Sequence, residues 1–223
     1  MASTSRNATA TSSRPFNWRP VKIWALYVVG LMPAAWYFYL GAVGDLGADP
    51  VRTFEHLLGI WALRFILATL AVTPLMVLFN IRLIAYRRAL GLLGFWYVLF
   101  HFTVYVTLDR GMNLSGIVED IAKRWYITIG MAGFVMLIPL ALTSNTYSIR
   151  KLGSRWSKLH KLVYAVVAAG TLHFVLSTKT LTIEQAIYVA LTVILLLFRV
   201  FKPRIMKWRK QNTMRRKSDQ AKA

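Results

Sequence analysis

Residues 159–174 read LHKLVYAVVAAGTLHF, Leu159 to Phe174. The stretch is apolar enough to sit in a bilayer, yet it carries two histidines, His160 and His173, thirteen residues apart. Ionisable side chains inside a membrane span are costly, so such residues are functional candidates by default. At ~1.5 Å rise per residue the two rings stand roughly 20 Å apart along a helix. One then lies toward each face of a hydrocarbon layer about 30 Å thick. A third histidine, His101, lies in a second apolar run, GLLGFWYVLFHFTVYVTL. Imidazole is a common axial ligand of haem iron. Two facing helices with inward histidines supply what a bis-histidine haem requires, so the pattern points to a membrane cytochrome that moves electrons across the bilayer.

Moving outward, the short turn STKTLT leads to a further apolar span at about Ile183–Phe201, followed by a strongly basic tail, residues 202–223. In the other direction the basic loop SNTYSIRKLGSRWSK follows a span at about Trp125–Thr143. The mixed-charge stretch DRGMNLSGIVEDIAKR precedes that span and predicts a short surface helix. Before it come a span at Gly91–Leu108, the basic loop IRLIAYRR, and a span at about His56–Phe79 that contains Arg64. The Thr73-Pro74 pair predicts a kink in that helix, because proline removes an intrahelical hydrogen bond. The loop GDLGADPVRTFE separates it from a first span at about Val21–Val43, longer than a signal peptide's apolar core and so read as retained. Residues 1–20, rich in Ser, Thr and Arg, read as unstructured. The sum is an all-α integral membrane protein, a six-transmembrane-helix bundle over residues 21–201, with no evident internal repeat.

Composition agrees. The 223 residues are 57% hydrophobic, carry a net charge of +20 and include no cysteine. Without thiols there are no disulfides, thiolate-ligated haem, iron–sulfur clusters or covalent haem attachment. Any haem is therefore non-covalent and held by histidine. The basic excess is read as topogenic, with the lipid bilayer as partner and no nucleic acid. Lys and Arg gather in both tails and in the loops after the second and fourth spans, whereas Asp45, Asp49, Glu55, Asp109, Glu119, Asp120 and Glu184 fall in or beside the other loops. The positive-inside rule then places both termini in the cytoplasm and these acids outside.

Depth sorts the histidines. His101 lies thirteen residues after Arg88, and His173 fourteen after Leu159, so the two share a depth in the outer half on spans three and five. They are the expected haem-iron ligands. A lone membrane histidine is often only a hydrogen-bonding contact between helices; matched depth on two spans argues against that here. His160 lies at the inner face, and its counterpart on span three is Arg87. An inner-site ligand and a water-facing junction residue both fit His160. His56, at the outer start of span two, reads as an interfacial residue or a propionate partner. Arg64 is expected to face the bundle, either on a haem propionate or in a helix contact.

The strings GADPVRTFEHLLGIWAL, LAVTPL, RRALGLLGFWYVLFHFTVY, RWYITIG, LALTSNTYSIRKLGSRWSKLHKLVY and LHFVLSTK span about Gly47 to Lys179. In content and order they resemble the MsrQ (YedZ) family, part of the broader ferric-reductase-like transmembrane group. In that group spans three and five typically carry two histidines each. By resemblance, His101 and His173 match the outer pair and His160 the inner histidine of span five, while its partner on span three is missing. The resemblance implies a bacterial inner-membrane subunit without a substrate-reducing site of its own. Electrons would come from the quinone pool or a cytosolic flavin reductase. They would pass through haem b to a periplasmic molybdopterin-containing catalytic subunit that reduces methionine sulfoxide. FMN is also implied; the inner basic rim of Arg87, Arg88, Lys151, Arg155 and Lys158, with Trp156 near the ring, is its expected contact. Two other classes stay open: a stand-alone ferric or metal reductase, and a non-redox scaffold or proton relay.

Overall fold

The computed structural model describes residues 17–220. Of the expected N-terminal tail, residues 1–16 lie outside the described residues, and helix α1 (Arg19–Ala42) begins inside its last two positions. Among the described residues all regular structure is helical, and six helical segments are long and apolar enough to cross a membrane. After α1 come α2 (Pro50–Phe79), a 3-10 turn (Ile84–Tyr86), α3 (Arg87–Val104) and a π-helical turn (Tyr105–Asp109). The chain continues through α4 (Leu114–Lys123), α5 (Trp125–Leu142), α6 (Thr146–Leu152), α7 (Ser154–Leu159), α8 (Leu162–Leu176) and α9 (Ile183–Gln220).

Local chemistry sets the boundaries. Asp49 caps α2 by accepting from the Arg52 N–H at 3.1 Å, with Pro50 at the first helical position. Asn80, in the left-handed region at φ 58°, ends the same helix. Asn113 caps α4 and Asn145 caps α6 in the same way. The mixed-charge stretch forms the surface helix α4, with Ile117 and Asp120 buried and Leu114 and Val118 exposed. Three segments depart from expectation. Span three starts at Arg87 rather than Gly91. The basic loop before span five is largely helical, as α6 and α7, broken at Gly153 with φ 51°. The last span runs on without a break through Pro203 to Gln220, so most of the basic tail is helix; its Lys, Arg, Gln and Met residues are good helix formers.

Helix α2 is the hub, packed on α1, α3, α8 and α9. Its closest partner is α3; a Cβ on Gly94 would meet the Ile66 side chain at 2.8 Å, so only glycine lets the two helices come this near. The second closely packed pair is α5 with α8. The buried apolar residues form one cluster among α1, α2 and α3 around Leu58, Leu93 and Tyr97, and another among α2, α5, α8 and α9 around Leu70, Leu137 and Val167.

Two polar side chains of the bundle bond across helices at the prolines. The fully buried Tyr97 hydroxyl donates to the Gly30 carbonyl (2.8 Å) and accepts from the Ala34 N–H (3.1 Å). It thus sits in the backbone ladder of α1 beside Pro33, bridging a pair that an unbroken helix bonds directly. Pro74 has no N–H and so frees the carbonyl of Leu70, four residues back. Arg199 of α9 reaches that carbonyl through Nη2 (3.4 Å) and also donates to Thr73 Oγ1 (2.9 Å).

Candidate functional site

His101 on α3 and His173 on α8 meet across the bundle, with ring centroids 6.1 Å apart and planes at 83°. The imidazole Nδ1 of His101 bonds the Glu55 carbonyl of α2 at 2.8 Å. Nδ1 of His173 bonds the Tyr126 carbonyl of α5 at 2.7 Å. A carbonyl can only accept, so each Nδ1 carries the proton and each Nε2 keeps a free lone pair. A second bond from a backbone carbonyl is the usual way a metal-ligating imidazole is oriented and made more basic.

Two glycines make this approach possible. A Cβ on Gly59 would stand 3.3 Å from His101 Nδ1, and one on Gly130 would stand 2.6 Å from His173 Nδ1. Each glycine lies four residues after the accepting carbonyl, one helical turn on and on the same face. The same device, a carbonyl with a notch beside it, therefore holds both rings.

The pair lines a cavity of about 880 Å³, inside the roughly 300–1,000 Å³ range of cofactor sites. Its depth is apolar, walled by Leu63, Ile66, Val98, Phe134, Leu137 and Val166. Its charged groups, Arg52, Glu55, Asp109, Arg110 and Arg124, gather at the end of the bundle where the other acids lie. Two metal–imidazole bonds of about 2 Å, with the two ring half-widths, come to roughly 6 Å between centroids. The ring separation, the free Nε2 atoms and the apolar depth are what a bis-histidine haem would require of these residues.

The rim guanidiniums are positioned by a buried carboxylate. Asp120 on α4 accepts from the Tyr105 hydroxyl at 2.9 Å, pairs with Arg124 Nε at 3.1 Å, and holds Arg110 Nη2 in close contact. The π-helical turn at Tyr105–Asp109 changes the register at the end of α3 and brings Tyr105 and Arg110 to Asp120; such turns often occur at functional sites.

The other expected site residues are elsewhere. His160 lies outside the cavity lining, stacked on Trp156 with centroids 4.0 Å apart. Its Nε2 is 3.1 Å from Thr143 Oγ1. That hydroxyl gives its single proton to the Pro139 carbonyl (2.6 Å), so His160 Nε2–H is the donor of the pair. Trp156 Nε1–H donates to the Thr143 carbonyl at 2.9 Å. Arg87 is the cationic neighbour of His160 and Arg199 at this opposite end, and Arg88 and Arg155 are exposed there. Arg64 is the inward arginine expected of span two, but it faces α9: Nε donates to the Tyr188 hydroxyl (2.7 Å), and Nη2 lies 3.7 Å from Glu184. His56 does line the cavity, beside Phe174. Sequence reasoning missed Glu55, Gly59, Tyr126, Gly130, Arg110 and Arg124 as parts of the site.

Comparison with known proteins gives the family. Residues 58–171, about half of the chain, match the family model described as ferric reductase like transmembrane component. The chain is 58% identical over 208 residues to the protein-methionine-sulfoxide reductase heme-binding subunit MsrQ of Agrobacterium fabrum, covering 93% of this chain and 97% of that one. It is 55% identical over 203 residues, 91% of each chain, to the proteins of the same name from Brucella ovis and Brucella canis. With such identity over nearly the full length of both partners, the chain belongs to the MsrQ family.

Proposed function

We propose that this chain is the membrane electron-transfer subunit of a methionine sulfoxide reductase system and holds haem b between His101 and His173. The observation that carries the reading is the pair of imidazoles 6.1 Å apart, each with Nδ1 bound to a carbonyl of the neighbouring helix. His101 and His173 offer Nε2 to the iron. The carbonyls of Glu55 and Tyr126 fix each tautomer, and Gly59 and Gly130 leave room for the rings. Arg110 and Arg124, gathered by Asp120, answer the propionates; Phe134, Leu137 and Val166 keep water from the deep edge. Bound haem supplies one-electron exchange between ferric and ferrous iron.

The charge distribution supports a direction. With the basic end in the cytoplasm of a bacterial inner membrane, the histidine pair lies toward the periplasm. Electrons then enter at the basic end, from the quinone pool or a cytosolic flavin reductase. They leave at the acidic end to a periplasmic molybdopterin-containing catalytic subunit. FMN belongs in this reading to the donor side, against Arg87, Arg88, Arg155 and Trp156. The match to a ferric-reductase-like component favours one second reading, a stand-alone reductase of ferric chelates using the same histidines.

The test is the reduced-minus-oxidised absorption spectrum and haem content per chain of the purified full-length protein. The wild type is expected to show a b-type spectrum. His101→Ala and His173→Ala should each lose it while still inserting, and His160→Ala should keep it. Unchanged haem in both of the first two variants overturns the assignment. Reoxidation of the reduced protein by the catalytic subunit with methionine sulfoxide, but not by ferric citrate, separates the two readings.

A further inference from the structure

The side chains of helix α4 fall into three sectors. At ~100° per residue, Leu114, Val118 and Ala122 share one sector, Ser115, Glu119 and Lys123 a second, and Ile117 and Asp120 a third. The third is buried against the bundle, where Asp120 holds Tyr105, Arg110 and Arg124 at the cavity mouth. The second is exposed and polar; Glu119 pairs with Lys123, and Ser115 Oγ bonds Asn113 Oδ1 at 2.7 Å. The first is exposed and apolar, with Leu114 71% and Val118 67% open. A helix clear of the membrane needs two sectors, one for the protein and one for water. The extra sector calls for an apolar neighbour.

The connections identify that neighbour. Residues 110–113 join α4 to the turn that ends span three, and Arg124 alone joins it to α5. An extended chain reaches at most about 3.6 Å per residue, so α4 is held near the level at which the two spans leave the hydrocarbon. Leu108 and Trp125, at the adjoining ends of those spans, are 56% and 82% exposed. Tryptophan at a span end is characteristic of the lipid–water interface. A helix fixed at this level has protein on one side, lipid on the next and water on the last, which accounts for all three sectors.

We infer that α4 is an interfacial anchor, with its Leu114–Val118–Ala122 stripe seated on the lipid surface at the acidic end of the bundle. An apolar face opposed to a charged one is what keeps a helix in the interface plane. The lipid then bears on the cavity at two points. One is Asp120, through Arg110 and Arg124. The other is Trp125, whose chain neighbour Tyr126 gives its carbonyl to His173. The anchor rests on the spans and the sorted helix, and it holds whether or not the cavity takes haem.

The chain has no cysteine, so Leu114→Cys, Val118→Cys and Ser115→Cys can each carry a single NBD label on full-length protein in phosphatidylcholine nanodiscs. Lipid bearing a nitroxide near the headgroup end of its acyl chain should quench the labels at Leu114 and Val118 several-fold more than the label at Ser115. Aqueous iodide should give the reverse order. Val118→Asp, read by the label at Leu114, should remove most of the nitroxide quenching, and Ser115→Asp should leave it unchanged. Iodide quenching that is equal at all three positions overturns the inference and leaves the stripe to a soluble protein partner. Nitroxide quenching that is equal at all three also overturns it, because the helix would have no water-facing side. So does an equal response to the two aspartates. The labels are read with or without haem, so a protein that binds no haem refutes the haem reading alone, and misplaced labels refute the anchor alone.

Discussion

Each histidine ring fits because one residue on the facing helix has no side chain. Alanine at Gly130 puts a methyl 2.6 Å from His173 Nδ1, closer than any relaxed contact. At Gly59 the corresponding distance is 3.3 Å, which a shift of a few tenths of an ångström relieves. Overpacking a filled interior costs about 1–3 kcal/mol. Gly130→Ala is therefore expected to break the bond to the Tyr126 carbonyl and lose most of the haem, whereas Gly59→Ala should keep most of it. Haem-to-protein ratios of the two purified variants check this ordering; equal retention would count against the notch. The histidines themselves were legible in the sequence, because ionisable groups stand out in apolar spans and depth can be counted from the span ends. Their carbonyl partners were not, because every residue has a carbonyl. The glycines read as ordinary packing residues. A usable signal was present in EHLLG (55–59) and YITIG (126–130), each with glycine one turn after the accepting residue near the start of a span. Arg64 was legible as inward-facing but not as to which neighbour it meets. It is turned roughly 140° from Gly59 on the helix at ~100° per residue, which takes it to Tyr188 and Glu184 of α9.

Helix α4 shows how two adjacent acids come to do different things. Glu119 is exposed and paired with Lys123 one turn on, at 2.5 Å. Asp120 is buried and carries Arg110, Arg124 and the Tyr105 hydroxyl. Removing one partner of a buried ion pair costs about 3–5 kcal/mol, while exposed pairs are worth about 0–1 kcal/mol. Arg124 is half exposed and can rehydrate, so Asp120→Ala is expected near the lower figure, about 3 kcal/mol. Glu119→Ala should fall within about 0.5 kcal/mol of the wild type. Thermal unfolding in detergent, with both variants beside the wild type, measures the difference; similar melting temperatures would show that Asp120 carries no such load. The existence of α4 and its place at the surface were legible from the mixed charge of the stretch. The identity of its buried acid was not, because that depends on the π-helical turn at Tyr105–Asp109, which no periodicity announces. The break between α7 and α8 and the unbroken run of α9 escaped the sequence for a similar reason. Hydropathy locates what lies in lipid and is silent on where a helix continues into water.

At the scale of the molecule, six spans and an uneven charge distribution make the orientation testable. The chain has no cysteine, so single cysteines report without interference. Cysteines placed at Gly47 and Lys179 are expected to react with an impermeant maleimide in intact spheroplasts. Cysteines at Arg82 and Gly153 should react only after lysis. The reverse pattern would invert the proposed direction of electron flow. The two closely packed helix pairs, α2 with α3 and α5 with α8, also have a consequence for assembly. Each pair contains one imidazole together with its own carbonyl and its own glycine notch. Each is thus a complete half of the site, the two halves already meet in the apolar cluster of α2, α5, α8 and α9, and a bound cofactor would be a second joint between them. A ligand present at a hundred times its dissociation constant adds about 2.7 kcal/mol to the folded state. In cells starved of haem, then, the chain should keep this shared core and loosen around the open cavity. Protease should cut first at the exposed Gly111–Met112 turn beside the cavity, and added haem should protect that turn.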